Sequence, residues 1–362
     1  MNDVAAVGRW VGGWGLVGWA LIALAVAALP GSPALLYRAP WEVWPLRPAI
    51  GVPLILAVAV YLRGVRRASP APSAGRQAAF LGAIAALALA LQSPILSMAP
   101  RSFALDAVGQ MLLRTVAPAL LVMAQPMATL AGGLSLPAAP ALRRLGALAR
   151  RVTRPMAGTA LYVGTAYLWA WPAARDLALL DPPIRAAMDL SFLLSGLVFF
   201  YALFDLRPEP AGPTIGTRLL MIWGAELGNI LLGYYLTYAS LPLYPAYAAD
   251  GLLWGLSPLA NQMYGGQTLW LCDTAMIGVA AMAVIFRWAR DEDRLRGPRT
   301  HPGRDRAAWL ARQQASNRRV VFGLLGFVGM IVAVMGASVV LYEVTYHRAA
   351  AHPPAVSVNQ IP

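Results

Sequence analysis

The sequence predicts an all-α membrane protein, a transmembrane helical bundle of about nine spans. Three observations predict it. The 362 residues are 59% hydrophobic and only 12% charged, about half the charge of a soluble domain. Apolar runs of about 20 residues recur along the chain, each able to cross a hydrocarbon core of ~30 Å at about 1.5 Å per residue. Their recurrence excludes a lone signal peptide. The arginines gather in alternate loops, as in chains held in one orientation in a bilayer.

In chain order the spans are about 12–30, 47–63, 77–97, 105–130, 156–172, 185–205, 217–239, 262–288 and 319–342. Pro and Gly punctuate the ends, as at Pro30-Gly31, Pro70, Pro140, Pro155 and Pro213. Loop 63–76 carries Arg63, Arg66, Arg67 and Arg76. Loop 140–155 carries Arg143, Arg144, Arg150, Arg151 and Arg154, loop 205–218 carries Arg207 and Arg218, and loop 287–319 carries ten arginines. The intervening loops hold Arg38, Arg47, Arg101, Arg175 and Arg185, and loop 239–261 holds none. This bias puts the N-terminus in the cytoplasm and the C-terminus outside, in a cell inner membrane. Residues 291–318 are expected as a basic cytoplasmic segment, and 346–362 as a disordered outer tail. Loop 239–261, with its tyrosines and Trp254, is expected in the outer interface, where amphipathic rings are favoured. The domain reading is an extra span with its outer loop over 1–45, a core over 46–290, the basic loop over 291–318, a second extra span over 319–345 and the tail.

The net charge of +13 comes entirely from arginine on the basic side. Its concentration in short loops points to topology and anionic headgroups. The lipid bilayer is thus the first partner, and no nucleic acid is expected, since no basic-aromatic face occurs. Cys272 is the single cysteine, so no internal disulfide forms. The histidines are His301, in the basic loop, and His347 and His352, in the tail. No zinc pattern exists, and neither metal nor cofactor is expected. No Walker loop, nucleophile–base set or GxGxxG after a strand is present, so no enzyme is expected.

The informative residues are ionisable groups inside apolar runs: Asp106, Arg114, Asp189, Glu226 and Asp273. Charge in hydrocarbon is costly, so such groups face the interior and pair. Asp106, Gln110 and Arg114 fall at i, i+4 and i+8, a polar stripe on one helix. For Asp106 and Asp189 a second reading stands beside this one, that they mark helix starts in the headgroup zone. Arg114, Glu226 and Asp273 each lie within several Å of the bilayer midplane. Arg114 is therefore expected to pair with Glu226, Asp273 or both. The pairing locks helices together, with a proton relay as the alternative. Met123 and Met127, with Met111, Met263 and Cys272, read as packing, and a soft Cu(I) site is the alternative. Gly224, Gly228, Gly233, Gly265 and Gly266 are expected at close helix contacts, and Pro118 and Pro126 are expected to bend the fourth span.

Four blocks carry a resemblance. They are Ser93-Pro94-Ile95-Leu96; Val116-Ala117-Pro118-Ala119-Leu120-Leu121 with Pro126; Leu243-Tyr244-Pro245-Ala246-Tyr247; and Trp254-Gly255-Leu256-Ser257-Pro258-Leu259-Ala260-Asn261-Gln262 with Gly265, Gly266 and Trp270. In this order they make residues 45–295 resemble the cytochrome c oxidase assembly factor family of the CtaG type. The resemblance implies a seven-helix core, with the first and last spans as additions. It also implies a role in oxidase maturation through copper handling, with oxidase subunits or other assembly factors as partners. It further implies core histidines in an H-x-x-Q-H pattern before the Val-Ala-Pro block. Here Asp106, Gly109 and Gln110 stand at the His, Gln and His of that pattern. Trp171 stands where a His-Pro pair is expected, Arg185 to Asp189 where further His and Glu are expected, and Asn261-Gln262 where Asp-Gln is expected. The chain therefore reads as a divergent member without the usual metal site. Its expected role is oxidase assembly by partner binding or altered copper handling. The alternatives are a transporter that uses the buried charges, which needs a continuous polar route, and a structural accessory subunit, which needs a groove for another helix.

Overall fold

The computed structural model describes residues 47–134, 154–205, 207, 212–249 and 251–300. The spans expected at 12–30 and 319–342, the three histidines and the tail lie outside the described residues. The chain divides into two compact units, Met1–Val284 and Ile285–Pro362, and the site developed below lies wholly in the first.

The described residues form α-helices with short 3-10 turns and no strand. In order they are α1 (Pro48–Arg67), α2 (Ala74–Gln92), α3 (Pro94–Met98), α4 (Phe103–Met111), α5 (Ala117–Ala124), α6 (Met127–Gly133), α7 (Pro155–Ala170), α8 (Pro172–Leu180), α9 (Pro182–Leu203), α10 (Ile215–Tyr238) and α11 (Pro258–Thr300). Many begin with proline, whose missing N–H costs nothing in a first turn. Side-chain oxygens of Ser93, Ser102, Asp181 and Thr214 accept from free N–H groups at the starts of α3, α4, α9 and α10. Helix α2 packs on α5, α9 on both α5 and α7, α7 on α10, and α1 on α6.

Among the described residues, six helical stretches are long and apolar enough to cross a membrane: Pro48–Arg67, Ala74–Arg101, Phe103–Ala124, Pro182–Leu203, Ile215–Tyr238 and Pro258–Phe286. The fifth expected span differs. Helix α7 has 16 residues, about 24 Å at ~1.5 Å per residue, short of the ~30 Å core. It ends at Trp171, which is extended, because the residue before Pro172 is disfavoured in a helix. Helix α8 then turns Arg175 into the bundle. Helix α11 runs on to Thr300, into the segment read as a separate basic loop.

The fourth span also departs from a plain helix over 105–130. It is α4, a π-helical turn over Leu112–Val116, and α5. It stops at Gln125, which is left-handed at φ 49° before Pro126. The π turn follows from Pro118, which has no N–H for the Arg114 carbonyl and whose ring crowds it. The bulged carbonyl is housed by Gly196 on α9. A β-carbon there would lie 2.0 Å from the Arg114 oxygen and 2.7 Å from Pro118 Cγ. Gly196→Ala should therefore lower stability by ~1–3 kcal/mol, the usual cost of overpacking. Thermal unfolding of the full chain in detergent checks this, and an unshifted midpoint would show that the bulge does not depend on Gly196.

Gly196 is not among the glycines expected at close helix contacts, but close contacts occur at those as well. A β-carbon at Gly233 would strike Trp270, one at Gly265 would strike Phe103, and one at Gly228 would strike Val163. In the loop before α11, Tyr244 and Tyr247 are buried within the protein, because their rings pack on Phe103 at 5.1 and 5.5 Å between centroids and their hydroxyls find internal acceptors.

Candidate functional site

Two clusters of buried charge occupy the first unit. The first is built on Asp106, which α4 carries at 0% exposure. Its Oδ2 accepts from Gln110 Nε2 at 2.9 Å, Arg175 Nη1 at 2.7 Å and the Tyr247 hydroxyl at 2.6 Å. Its Oδ1 accepts from Arg185 Nη2 at 2.6 Å. Arg175 also donates to Gln110 Oε1 at 3.2 Å, and Arg185 Nε stands 3.3 Å from Asp189. With every group ionised, two guanidiniums balance two carboxylates. The Arg175 guanidinium lies over the rings of Phe103 and Tyr244 at 5.3 and 5.9 Å, a weakly hydrated cation on aromatic faces.

The tyrosines come from the Tyr-Pro block. Pro245 opens a 3-10 turn, Pro245–Ala248, that swings Tyr247 onto Asp106. Burial, followed by the nearby Asp106 carboxylate, pushes the Tyr247 hydroxyl well above its ordinary pKa, so it stays a donor. The Tyr244 hydroxyl donates to the Ala170 carbonyl at 2.7 Å, at the end of α7. Burial, partly offset by Arg175, pushes it up to about 12.

The second cluster joins α10 and α11 to the π turn. Asp273 accepts hydrogen bonds from Arg114 Nη2, Thr115 Oγ1 and Asn229 Nδ2. The Tyr162 hydroxyl stands 3.3 Å from both its oxygens. Arg114 Nη2 also donates to Asn229 Oδ1 at 2.8 Å, and its guanidinium sits 4.4 Å over the Tyr162 ring. Arg114 and Asp273 are 5% and 1% exposed. Glu226 is not Arg114's hydrogen-bond partner. It accepts from Thr274 Oγ1 at 2.8 Å, because Asn229, one turn along α10, takes the place beside the guanidinium.

The expected stripe is thus divided. Asp106 and Gln110 share the first cluster with Asp189, while Arg114 serves the second with Asp273. The π turn between them adds a residue and rotates Arg114 away from the i+8 position. Asp106 does lie in the first turn of α4, as the second reading has it, and it is wholly buried on its protein partners there. Asp189 is half-buried on Arg185.

Sequence reasoning missed Arg175, Thr115, Tyr162 and Asn229, and it named Arg185 and Tyr247 only at family-block positions, with no place in the cluster. By position alone Arg175 and Arg185 read as loop arginines. A usable signal was their place in a loop side otherwise poor in arginine. Asn229, polar within an apolar run, was equally visible. Thr115 and Tyr162 carry no such mark.

The family-motif residues clamp the chain around these clusters. Asn261 Oδ1 accepts from the Phe103 N–H at 3.0 Å, at the start of α4. Gln262 Oε1 accepts from the Leu243 N–H at 2.6 Å, and its amide donates to the Leu236 and Leu241 carbonyls at 3.3 and 3.4 Å. Trp270 fills the space over Gly233, and Trp254 is half-buried at φ 61°.

The cytochrome c oxidase caa3 assembly factor family (CtaG) matches residues 59–291. The chain belongs to this family. It is 24% identical over 268 residues to an uncharacterized protein of Mycobacterium leprae (strain TN), which covers 70% of this chain and 41% of that one. It is 26% identical over 267 residues to an uncharacterized protein of Mycobacterium bovis (strain ATCC BAA-935 / AF2122/97), covering 70% of this chain and 40% of the other. A Mycobacterium tuberculosis (strain CDC 1551 / Oshkosh) protein matches at the same 26%. The chain thus spans about two-fifths of these curated relatives. No solved structure matches. Within this assembly-factor core, both clusters lie inside the matched region.

Proposed function

We propose that this family member assists assembly or maturation of a cytochrome c oxidase by binding oxidase subunits or other assembly factors, and that its core does not itself hold copper. One observation supports this most. The carboxylates at the centres of the two clusters, Asp106 and Asp273, already accept from several protein donors. Asp106 accepts four donors, and Asp273 is ringed by Arg114, Thr115, Asn229 and Tyr162.

A metal ion needs free lone pairs, and copper favours imidazole or soft sulfur. Here the lone pairs face N–H and O–H donors, and guanidinium cations stand where an incoming cation would have to sit. Among the described residues no three His, Cys, Asp or Glu side chains converge. The residues present do not fit a copper ion. Copper is then cargo handled by other components, and this chain supplies a rigid membrane surface.

Removal of the gene tests the reading. Oxidase activity and the copper and haem content of the membranes are measured together. Oxidase activity should fall and return when the full chain is restored. Unchanged oxidase activity on removal would overturn the assembly role.

A further inference from the structure

A small cavity lies where the two clusters face each other. Gln110 and Arg175 of the first cluster line it, with Arg114, Asn229 and Asp273 of the second, between apolar walls. It offers about 10 Å³ of room to the centre of a water molecule, about the room one water needs. Two guanidinium nitrogens of its lining residues, Arg114 Nη1 and Arg175 Nε, are buried without a protein partner. Both side chains are more than nine-tenths buried. A guanidinium N–H turned away from water and from any acceptor is expensive, so each calls for one.

We propose that this cavity binds a single ordered water that joins the two clusters into one hydrogen-bonded unit. A water oxygen accepts twice, once from each of these two guanidinium nitrogens. Its two protons find acceptors on the same walls, the Asp273 carboxylate and Gln110 Oε1. A site with polar partners of both kinds holds water, whereas an apolar cavity of this size stays dry.

A small anion is the rival ligand, and charge decides against it. Arg114 is balanced by Asp273, and Arg175 with Arg185 by Asp106 with Asp189. An added anion would bring an uncompensated charge beside the Asp273 carboxylate, in a medium where that is costly. A neutral molecule that both donates and accepts adds none.

The water extends the network. Tyr247 reaches Asp106, and Asp106 reaches Gln110 and Arg175. The water then reaches Asp273, which reaches Thr115 and Tyr162. Helices α4, α7, α8, α10 and α11 and the Tyr-Pro turn are held by this one set of bonds.

A density map of the full chain that resolves ordered water is the test, recorded with and without bromide in place of chloride. The expected result is one peak within hydrogen-bond distance of both Arg114 Nη1 and Arg175 Nε, without anomalous signal in bromide. A featureless cavity would overturn the proposal. A bromide signal at the peak would also overturn it, in favour of an anion site. Neither outcome bears on the assembly role, which is tested separately.

Discussion

Asp106→Leu should sharply lower the amount of folded chain recovered from membranes. The change removes the acceptor of Gln110, Arg175, Arg185 and Tyr247 together. Arginine cannot discharge itself by losing a proton, so Arg175 stays charged at 1% exposure without its carboxylate. Removing one partner of a buried pair costs ~3–5 kcal/mol, set against a typical total of ~5–15 kcal/mol. Asp106→Asn keeps the shape and some hydrogen bonds but loses the charge, so it should fall between Asp106→Leu and the parent. The readout is the monodisperse fraction after detergent extraction, from cells expressing equal amounts of message. Parent-level recovery of Asp106→Leu would show that the cluster contributes little.

The second large effect is an ordered series at the other cluster. Asp273→Leu should be the most damaging single change, because it strands the Arg114 guanidinium. Arg114→Leu should be milder. The stranded Asp273 keeps Thr115, Asn229 and Tyr162 as donors and can take up a proton. The double change to leucine should be less damaging than Asp273→Leu alone, because an apolar replacement of a whole buried pair is often tolerated. The coupling in this cycle should reach ~1–3 kcal/mol, beyond the ~0.5 kcal/mol scatter of independent sites. Thermal midpoints of the four proteins give it, and additive shifts would mean that the pair does not interact energetically.

The helices were legible because their signal is local. An apolar run bounded by Pro or Gly marks its own ends, and Pro118 and Pro126 announced the irregular fourth span. The break at Trp171-Pro172 was equally local, yet it was read as a span end rather than as the bend that brings Arg175 inward. The partners of Asp106 were not legible, because they are far apart in sequence. Asp106 is 69, 79 and 141 residues from Arg175, Arg185 and Tyr247, and no periodicity encodes such distances. The Arg114–Asp273 pair, 159 residues apart, was legible by another route, since both residues are ionisable groups expected at similar depth in their spans. Counting loop arginines also hides their chemistry, since an arginine that anchors a headgroup and one that neutralises a buried carboxylate look alike in sequence. Asp106 and Gln110 were paired correctly because i and i+4 are neighbours on a helix. Arg114 pairs with Asp273 as expected but leaves the stripe with Asp106 and Gln110, because a π turn changes the count.

These clusters change what the family resemblance means for this chain. The positions where that resemblance implies histidines hold a carboxylate and an amide, and the partners supplied by α8, α9 and the Tyr-Pro turn are guanidiniums and a phenol. In the function proposed above, such a centre holds helices together and leaves no room for a cation.

The most direct test of that account is the copper content of the full chain, purified from copper-supplemented membranes and washed with a mild chelator. The account predicts far less than stoichiometric copper, unchanged by replacing Met111, Met123, Met127 or Cys272. Stoichiometric copper that survives the wash and is lost with one of those sulfur side chains would contradict it.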